Sequence, residues 1–210
     1  MADSGWRMVG MRMSDSDPAS AYPPSAIRHP LLLLLLLSFP AFSADVAEPE
    51  DYWTGPVNSE APGTIAGGTV IHAQELAALL RESKVVLIDV SNVPLRPAQL
   101  APDSTWLPLP HDSITGSLWL AGAGQGKIAP DAEQLLAAKL AQKTGGNRDH
   151  IIVVYCHERC WLSWNAAKRA IRLGYRRVYW FPEGIEGWRA AGFNTATVEP
   201  AVAEGDGVTE

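Results

Sequence analysis

Three short apolar runs, separated by segments with helical periodicity, constrain the fold of this chain more than any other feature. The runs Val85–Asp89, Ile151–Tyr155 and Arg177–Phe181 have the length and the β-branched or aromatic content of buried strands. A shorter strand is predicted at Thr69–Ile71. Helices are predicted at Ala73–Arg81, Asp131–Lys143, Trp161–Leu173 and Gly184–Ala191. Because strands alternate with helices, the sequence predicts a single α/β domain with a mostly parallel sheet and helices on both faces.

The first 44 residues have the pattern of a disordered lead followed by an export signal. The lead ends at Arg28, and the apolar run Leu31–Leu37 follows, closed by small residues in Ala41–Ala44. A charge, a short apolar run and a small-residue exit are typical of a secretory signal peptide. A membrane anchor would need about 20 apolar residues, and Pro40 interrupts this run earlier. The sequence therefore predicts a periplasmic protein that loses this signal.

The rest of the chain divides into three parts. Residues 45–68 contain Pro and Gly without an apolar period, which predicts an extended lead-in that wraps the surface. Residues 69–196 carry the strands and helices of the folded domain. Residues 197–210 are acidic and poor in apolar side chains, so we expect a disordered tail. Within the domain, the segment 91–130 is predicted to be one long irregular loop.

The charge of the chain argues against a nucleic-acid partner. The net charge is −6, and removal of the first 44 residues would leave it unchanged because they hold three acidic and three basic side chains. An acidic protein is a poor binder of nucleic acid. The basic residues Lys168, Arg169 and Arg172 lie opposite the apolar stripe of a predicted helix, which predicts a solvated face.

Both cysteines fall in one loop, directly after a predicted buried strand and directly before a predicted helix. Ligands bind at the carboxyl end of strands in open α/β sheets, and free amides at a helix start stabilise negative charge. A thiol in that place ionises more easily, which makes Cys156 a candidate nucleophile. Arg159 supplies a nearby cation, and His157 supplies a proton acceptor.

The same two cysteines fit other roles. Cys156 and Cys160 are four residues apart, so their Cα atoms would lie roughly 6 Å from each other on a helix, within disulfide range. Such a bridge closes a small loop and stabilises little, which favours a reversible redox pair over a structural bridge. Two thiolates and His157 would also suit Cu(I), with His111 or His150 as a further ligand. Without a nucleotide or phosphate loop in the sequence, we expect no other cofactor.

Two further residues are candidates for the pocket. Trp161 follows Cys160 directly, so its ring is a candidate lid over the sulfur. Asp89 ends a predicted strand at the same edge of the sheet, where it would either orient loop donors or form a turn.

The segments around the cysteine loop resemble a known family. The strand before Cys156, the helix after it and the stretch Glu183–Trp188 are similar to rhodanese-like proteins. More narrowly, Cys160–Ala170 together with Trp180–Gly184 resembles the exported group called PQQ-dependent catabolism-associated CXXCW motif proteins. The likeness covers nearly all of the chain after the export signal.

The resemblance implies a rhodanese fold and a periplasmic setting beside quinoprotein alcohol oxidation. It implies a pocket for a small sulfur compound or thiol, in which we place Glu158 and Glu183. The chain departs from the family because three residues, not two, separate its cysteines. Ser91 also stands where rhodaneses commonly have Arg. These departures predict a rebuilt pocket that does not favour thiosulfate.

The leading hypothesis is an exported rhodanese-like sulfur or thiol enzyme. Cys156 is its attacking thiolate, Cys160 is its resolving or sulfur-accepting partner, and Arg159 stabilises the anion with the helix-start amides. The alternatives are a thiol-disulfide redox protein that uses both cysteines, and a non-catalytic accessory that binds Cu(I) or a periplasmic partner such as a quinoprotein dehydrogenase.

Overall fold

The computed structural model describes residues 46–201, so the lead and export signal predicted for residues 1–44 lie outside the described residues. The strands are β1 (Thr69–Val70), β2 (Val85–Asp89), β3 (His111–Ile114), β4 (Leu118–Trp119), β5 (Ile151–Tyr155), β6 (Arg177–Phe181) and β7 (Thr195–Val198). The helices are α1 (Ala73–Glu82), α2 (Pro130–Thr144), α3 (Trp161–Arg172) and α4 (Gly184–Ala190). None of the helices between residues 46 and 201 has the length and apolar character needed to cross a membrane.

The main sheet is parallel and has the order β1-β6-β5-β2-β4. Its centre is β5, which pairs with β2 through Asp89 and Tyr155 at one end and with β6 through Tyr155 and Phe181. All five residues of β5 are buried, as expected of a strand covered on both faces. The carboxyl ends of these strands therefore meet at one edge of the sheet, where the cysteine loop begins.

Helices cover both faces of the sheet, which confirms the predicted fold class. On one face, α2 and α3 bury Leu136, Leu140 and Trp164 against β5 and β6. On the other face, α1 and α4 bury Leu76 and Trp188. The helix α3 is buried along most of its length because it also lies under the lead-in segment.

Two strands lie inside the segment 91–130, where one irregular loop is predicted. The strand β4 adds to the edge of the main sheet beside β2, and β3 pairs with β7 in a separate antiparallel sheet. The predicted boundary between residues 196 and 197 falls within β7, and the Ala201 amide bonds to the Trp119 carbonyl. The start of the predicted tail is therefore ordered, and residues 202–210 lie outside the described residues.

The lead-in segment, residues 46–68, has no helix or strand and packs against α3. Asn165 holds it by bonding both backbone groups of Trp53, and Lys168 donates to the carbonyls of Pro49 and Glu50. The rings of Trp53 and Trp161 stack with their centroids 4.4 Å apart.

The predicted solvated face of α3 is wrong for Arg169. This side chain is 2% exposed, and its guanidinium donates to the carbonyls of Ala123, Gln125 and Gly126. It also lies 4.0 Å from the centroid of the Tyr52 ring. The basic side of the helix is a packing surface because the lead-in and the glycine-rich turn after β4 cover it.

Candidate active site

The cysteine loop runs from the end of β5 to the start of α3. Cys156 follows the last residue of β5, and Cys160 is the N-cap of α3. Both cysteines are free thiols. The two sulfur atoms lie in different surroundings, and this difference determines what each can do.

Cys156 is a fully buried thiol. Its Sγ lies 3.1 Å from Ser163 Oγ and 3.4 Å from the Cys160 carbonyl oxygen, so the S–H donates into the start of α3. Ser163 Oγ also accepts the indole N–H of Trp180, at 3.0 Å, and donates to the Cys160 carbonyl. Burial raises the pKa of Cys156 well above its ordinary value, and the neighbouring Cys160 raises it further.

Cys160 is also buried, at 4% exposed, but its pKa is shifted in the opposite direction. Its pKa is lowered to about 7, chiefly because the Cys156 thiol can donate a hydrogen bond to its sulfur. The amides of Leu162 and His157 lower the pKa further, although the sulfur makes no formal cap hydrogen bond to the helix. Near neutral pH, Cys160 is therefore the thiol of the pair that ionises.

A pocket of about 220 Å³ opens beside the loop. It is lined by Glu60, Ala61, Pro62, Glu158, Arg159, Cys160, Trp180, Pro182 and Glu183. Cys156 is not among the lining residues. The pocket thus brings together four residues predicted for the site, Glu158, Arg159, Cys160 and Glu183.

Arg159 occupies the turn of the loop, where its φ of 54° is the left-handed conformation that side chains rarely adopt. Its guanidinium lies 2.9 Å from the Glu60 carboxylate, and both side chains are largely exposed. The main causes that lower the pKa of Cys160 are Cys156, the loop amides and His157, and Arg159 is not among them. The predicted role of Arg159 as an anion stabiliser stays a prediction. In this structure its guanidinium forms an ion pair with the Glu60 carboxylate.

His157 and Glu158 are tied to α4 by one carboxylate. His157 Nδ1 lies 2.8 Å from Glu186 Oε1, and the Glu158 amide donates to Glu186 Oε2. The Glu158 side chain remains at the pocket, whereas His157 does not line it.

Asp89 lies in a different cluster. Its Oδ2 is 2.8 Å from His111 Nε2 and also accepts the Ser113 hydroxyl, and its Oδ1 accepts the Ser91 amide. Burial opposes ionisation, but these hydrogen bonds outweigh it and lower the pKa of Asp89. Asp89 does not line the pocket, and it joins β2 to β3.

Trp161 lies in the core and does not line the pocket beside Cys160. It is 1% exposed, and its indole N–H donates to Ser59 Oγ and the Glu60 carbonyl. The tryptophan at the pocket wall is Trp180. Trp161 anchors the lead-in that supplies the opposite wall, so it acts on the pocket through Glu60.

The sequence reasoning missed Ser163 and Glu60. Ser163 has a signal in the sequence, since it follows Cys160 by three residues on a predicted helix and therefore faces the same side. Glu60 has none, because it lies about a hundred residues before the loop in a segment without periodicity. Among residues 46–201, no group of three or more His, Cys, Asp or Glu side chains is placed to hold a metal ion.

Comparison with known proteins gives a family match. The family model of the rhodanese-like domain matches residues 72–191, from the N-cap of α1 to the C-cap of α4. This range is more than half of the chain. No curated protein matches the sequence significantly.

Several solved structures are similar. The thiosulfate sulfurtransferase from Pseudomonas aeruginosa is 19% identical with a TM-score of 0.44, over 65% of this chain and 22% of that one. The polysulfide-sulfur transferase homodimer from Wolinella succinogenes is 19% identical with a TM-score of 0.41, over 62% and 80%. A 3-mercaptopyruvate sulfotransferase from Escherichia coli is 17% identical with a TM-score of 0.40, over 63% and 53%. The chain spans about a fifth of the Pseudomonas protein.

Proposed function

The chain belongs to the rhodanese-like domain family, and from that premise we propose that it transfers sulfur through the Cys156–Cys160 pair, with Cys160 as the nucleophile. The observation that carries the proposal is the inequality of the two thiols. Cys160 lines a pocket and has its pKa lowered to about 7, whereas Cys156 does not line it and has a raised pKa. A thiolate, not a thiol, attacks sulfur, so the member of the pair that lines the pocket and ionises more easily is the one equipped to react.

The proposed reaction has two steps. The Cys160 thiolate attacks the outer sulfur of a sulfane donor, the S–S bond of the donor breaks, and the rest of the donor leaves with the electron pair. Cys160 then carries a persulfide. An acceptor thiolate attacks the outer sulfur of that persulfide, which passes the sulfur on and restores the Cys160 thiolate.

Cys156 supports this cycle as a proton-bearing neighbour. Its S–H stabilises the Cys160 thiolate, and its own raised pKa keeps it a thiol while Cys160 is ionised. The Ser163 hydroxyl oxygen accepts the Cys156 S–H, and the Trp180 indole in turn donates to Ser163. The attacking residue in the proposal is therefore Cys160 where the sequence favoured Cys156, because Cys160 lines the pocket and Cys156 does not.

The closeness of the thiols supports a second candidate, thiol-disulfide exchange. Cys156 would attack the inner sulfur of the Cys160 persulfide and release hydrosulfide, leaving a Cys156–Cys160 disulfide that an external dithiol must reduce. In this version the pair carries electrons and not sulfur.

The proposed setting is the periplasm, beside PQQ-dependent alcohol catabolism. It is supported by the sequence of residues 28–44, which has the pattern of an export signal, and by the resemblance of Cys160–Ala170 to the exported CXXCW motif group. Fractionation of the native host, with sequencing of the mature N-terminus, tests export. Co-purification with a quinoprotein dehydrogenase tests the partner.

A single-turnover experiment tests the chemistry. The reduced protein is mixed with a sulfane donor, quenched with an alkylating reagent and mapped by peptide mass spectrometry, together with Cys156→Ser and Cys160→Ser. We expect one added sulfur on Cys160, retained in Cys156→Ser and lost in Cys160→Ser. Sulfur found on Cys156 in the Cys160→Ser variant would return the nucleophile to Cys156, and no added sulfur on either residue would overturn sulfur transfer.

A further inference from the structure

The charge at the mouth of the pocket bears on which substrates reach Cys160. Three carboxylates line the pocket, those of Glu60, Glu158 and Glu183. Arg159 is the basic side chain among its described lining residues, and Glu60 neutralises it at 2.9 Å. Two carboxylates are left without a cation from the lining.

The groups around Glu158 and Glu183 do not reverse the negative net charge of the pocket lining. Glu183 lies 2.6 Å from His72 Nδ1 and accepts the Ala73 amide. Even with His72 protonated, the charge of Glu158 remains, because its neighbour His157 is paired with the carboxylate of Glu186. The mouth is therefore negative in either state of His72.

The rest of the pocket lining is apolar. Ala61, Pro62, Pro182 and Trp180 line the pocket together with Cys160, and Arg159 is the one cation among its described lining residues. An anionic sulfur donor would have to pass the carboxylates and give up its hydration against apolar side chains. A neutral or cationic donor meets neither obstacle.

From this arrangement we propose that the pocket selects neutral or cationic thiol and sulfane compounds against anionic ones such as thiosulfate, and that Glu158 and Glu183 determine this selectivity. The inference rests on the proposed function, because it concerns compounds that react at Cys160. It gives the substrate class as an alkyl sulfur compound that carries an amine or no charge.

Three methanethiosulfonate reagents of similar reactivity test the selectivity. The trimethylammonioethyl reagent is cationic, the methyl reagent is neutral and the sulfonatoethyl reagent is anionic. In each reaction the Cys160 thiolate attacks the sulfenyl sulfur, the S–S bond breaks, and methanesulfinate leaves with the electron pair. The second-order rate on the reduced full chain is divided by the rate on a small free thiol, so that only the effect of the protein remains.

We expect the normalised rate of the cationic reagent to exceed that of the anionic reagent by about tenfold at low salt, and the ratio to shrink as salt is added. Glu158→Gln and Glu183→Gln should each lower the ratio, and the double variant should bring it close to one. Glu82→Gln is the matched control, because it removes an exposed carboxylate at the far end of α1. It should leave the ratio unchanged.

The outcomes separate the two proposals. If the neutral reagent modifies Cys160 but the anionic reagent is as fast as the cationic one, the charge selectivity is overturned and the proposed function stands. If the ratio is high but Glu158→Gln and Glu183→Gln leave it unchanged while both variants fold, these residues do not determine it and the assignment is overturned. If the neutral reagent leaves Cys160 unmodified, the proposed nucleophile itself fails.

Discussion

At the scale of single residues, two identical thiols in one loop acquire opposite properties from their neighbours. Cys156 directly follows a buried strand and donates to Ser163, whereas Cys160 is the N-cap residue of a helix and lines a pocket. Desolvation raises the pKa of the first thiol, and a hydrogen-bond donor lowers the pKa of the second. The reactivity of the site follows from this division.

The pH dependence of alkylation tests this division directly. We expect the rate of iodoacetamide labelling of Cys160 to rise with a midpoint of about 7, and Cys156 to stay unlabelled over the same range. Cys156→Ala removes the donor that contributes most to the low pKa, so its midpoint should move up toward the ordinary thiol value. Peptide mapping at each pH measures both cysteines. A wild-type midpoint near the ordinary value, or earlier labelling of Cys156, would contradict the assignment.

Ser163 is a positioning residue whose hydroxyl lowers the pKa of Cys156. In a Cys160→Ala background, Ser163→Ala should raise the Cys156 pKa further and destabilise the protein by about 1–3 kcal/mol, because the Trp180 indole loses its acceptor. Ser163→Thr keeps the hydroxyl and should restore the pKa. Thiolate absorbance against pH measures the titration, and urea unfolding measures the stability. If the Cys156 titration is unchanged in a folded Ser163→Ala variant, Ser163 does not position the Cys156 thiol.

The sequence predicted where the cysteine loop lies, since a strand ending just before Cys156 and a helix starting after Cys160 can be seen in the pattern. It could not predict which cysteine lines the pocket. That depends on Glu60 and Pro62, which come from a segment without periodicity, and on packing of α4 against the loop. Burial of this kind depends on tertiary packing, so no local sequence pattern indicates it.

At the scale of elements, the start of α4 locks the cysteine loop in place. The Ile185 amide donates to the Cys156 carbonyl at 3.0 Å, and Gly184 has a φ of 59°. A Cβ on Gly184 would lie 2.6 Å from the Cys156 carbonyl oxygen and 2.5 Å from the His157 carbonyl carbon. Glycine is therefore required both by the conformation and by the close approach.

Gly184→Ala should push α4 away from the loop and slow the reaction of Cys160, because the His157 amide that helps to lower its pKa would move. Gly174→Ala is the matched control, since Gly174 has a φ of 88° but nothing within 4 Å of an added Cβ. Both variants place a Cβ on a residue with positive φ, which costs about 1–2 kcal/mol of backbone strain. Only Gly184→Ala should also change Cys160 reactivity. Melting temperature measures the loss of stability, and alkylation rate measures the reactivity of Cys160. Equal alkylation rates in both variants would contradict the role of Gly184 at the cysteine loop.

Asp89 joins the two sheets, and its ionisation makes that link sensitive to acid. The pKa of Asp89 is lowered in the fold, so its contribution to stability is present above the unfolded pKa of about 4 and declines as pH falls through the lower folded value. Asp89→Asn should lose about 1–3 kcal/mol near neutral pH, because Asn accepts fewer hydrogen bonds from His111 and Ser113. The difference from wild type, measured by urea unfolding, should shrink in acid. A difference that is independent of pH would contradict the assignment.

The long apolar strands could be predicted, whereas the short polar ones could not. The strands β2, β5 and β6 are continuous apolar runs, and their bounds follow from composition. The strand β3 has the sequence His-Asp-Ser-Ile and exists through its pairing with β7, more than eighty residues later. No local pattern indicates such a pairing, which is why segment 91–130 reads as a loop.

At the scale of the whole molecule, the lead-in makes the pocket a product of distant parts of the chain. Residues 46–68 supply Glu60 and Pro62 to one wall, and α3 holds them through Asn165 and the stacked Trp53 and Trp161 rings. Asn165 is 1% exposed and binds Trp53 through two hydrogen bonds and Gly124 through a third. Stability of the lead-in and access to Cys160 are thus coupled.

Asn165→Ala should release the lead-in without touching the cysteine loop. Three backbone groups lose their partner, so we expect a loss of about 2–3 kcal/mol in the free energy of unfolding and faster proteolysis within residues 46–68. Because that segment carries Glu60, its release also exposes the pocket, and neutral reagents should then reach Cys160 faster while its pKa stays near 7. Lys168→Ala is a milder control, since it frees the lead-in upstream of Trp53 and leaves the wall at Glu60 in place. If Asn165→Ala accelerates proteolysis but leaves the reaction of Cys160 unchanged, the lead-in is a surface strap and not a wall of the site.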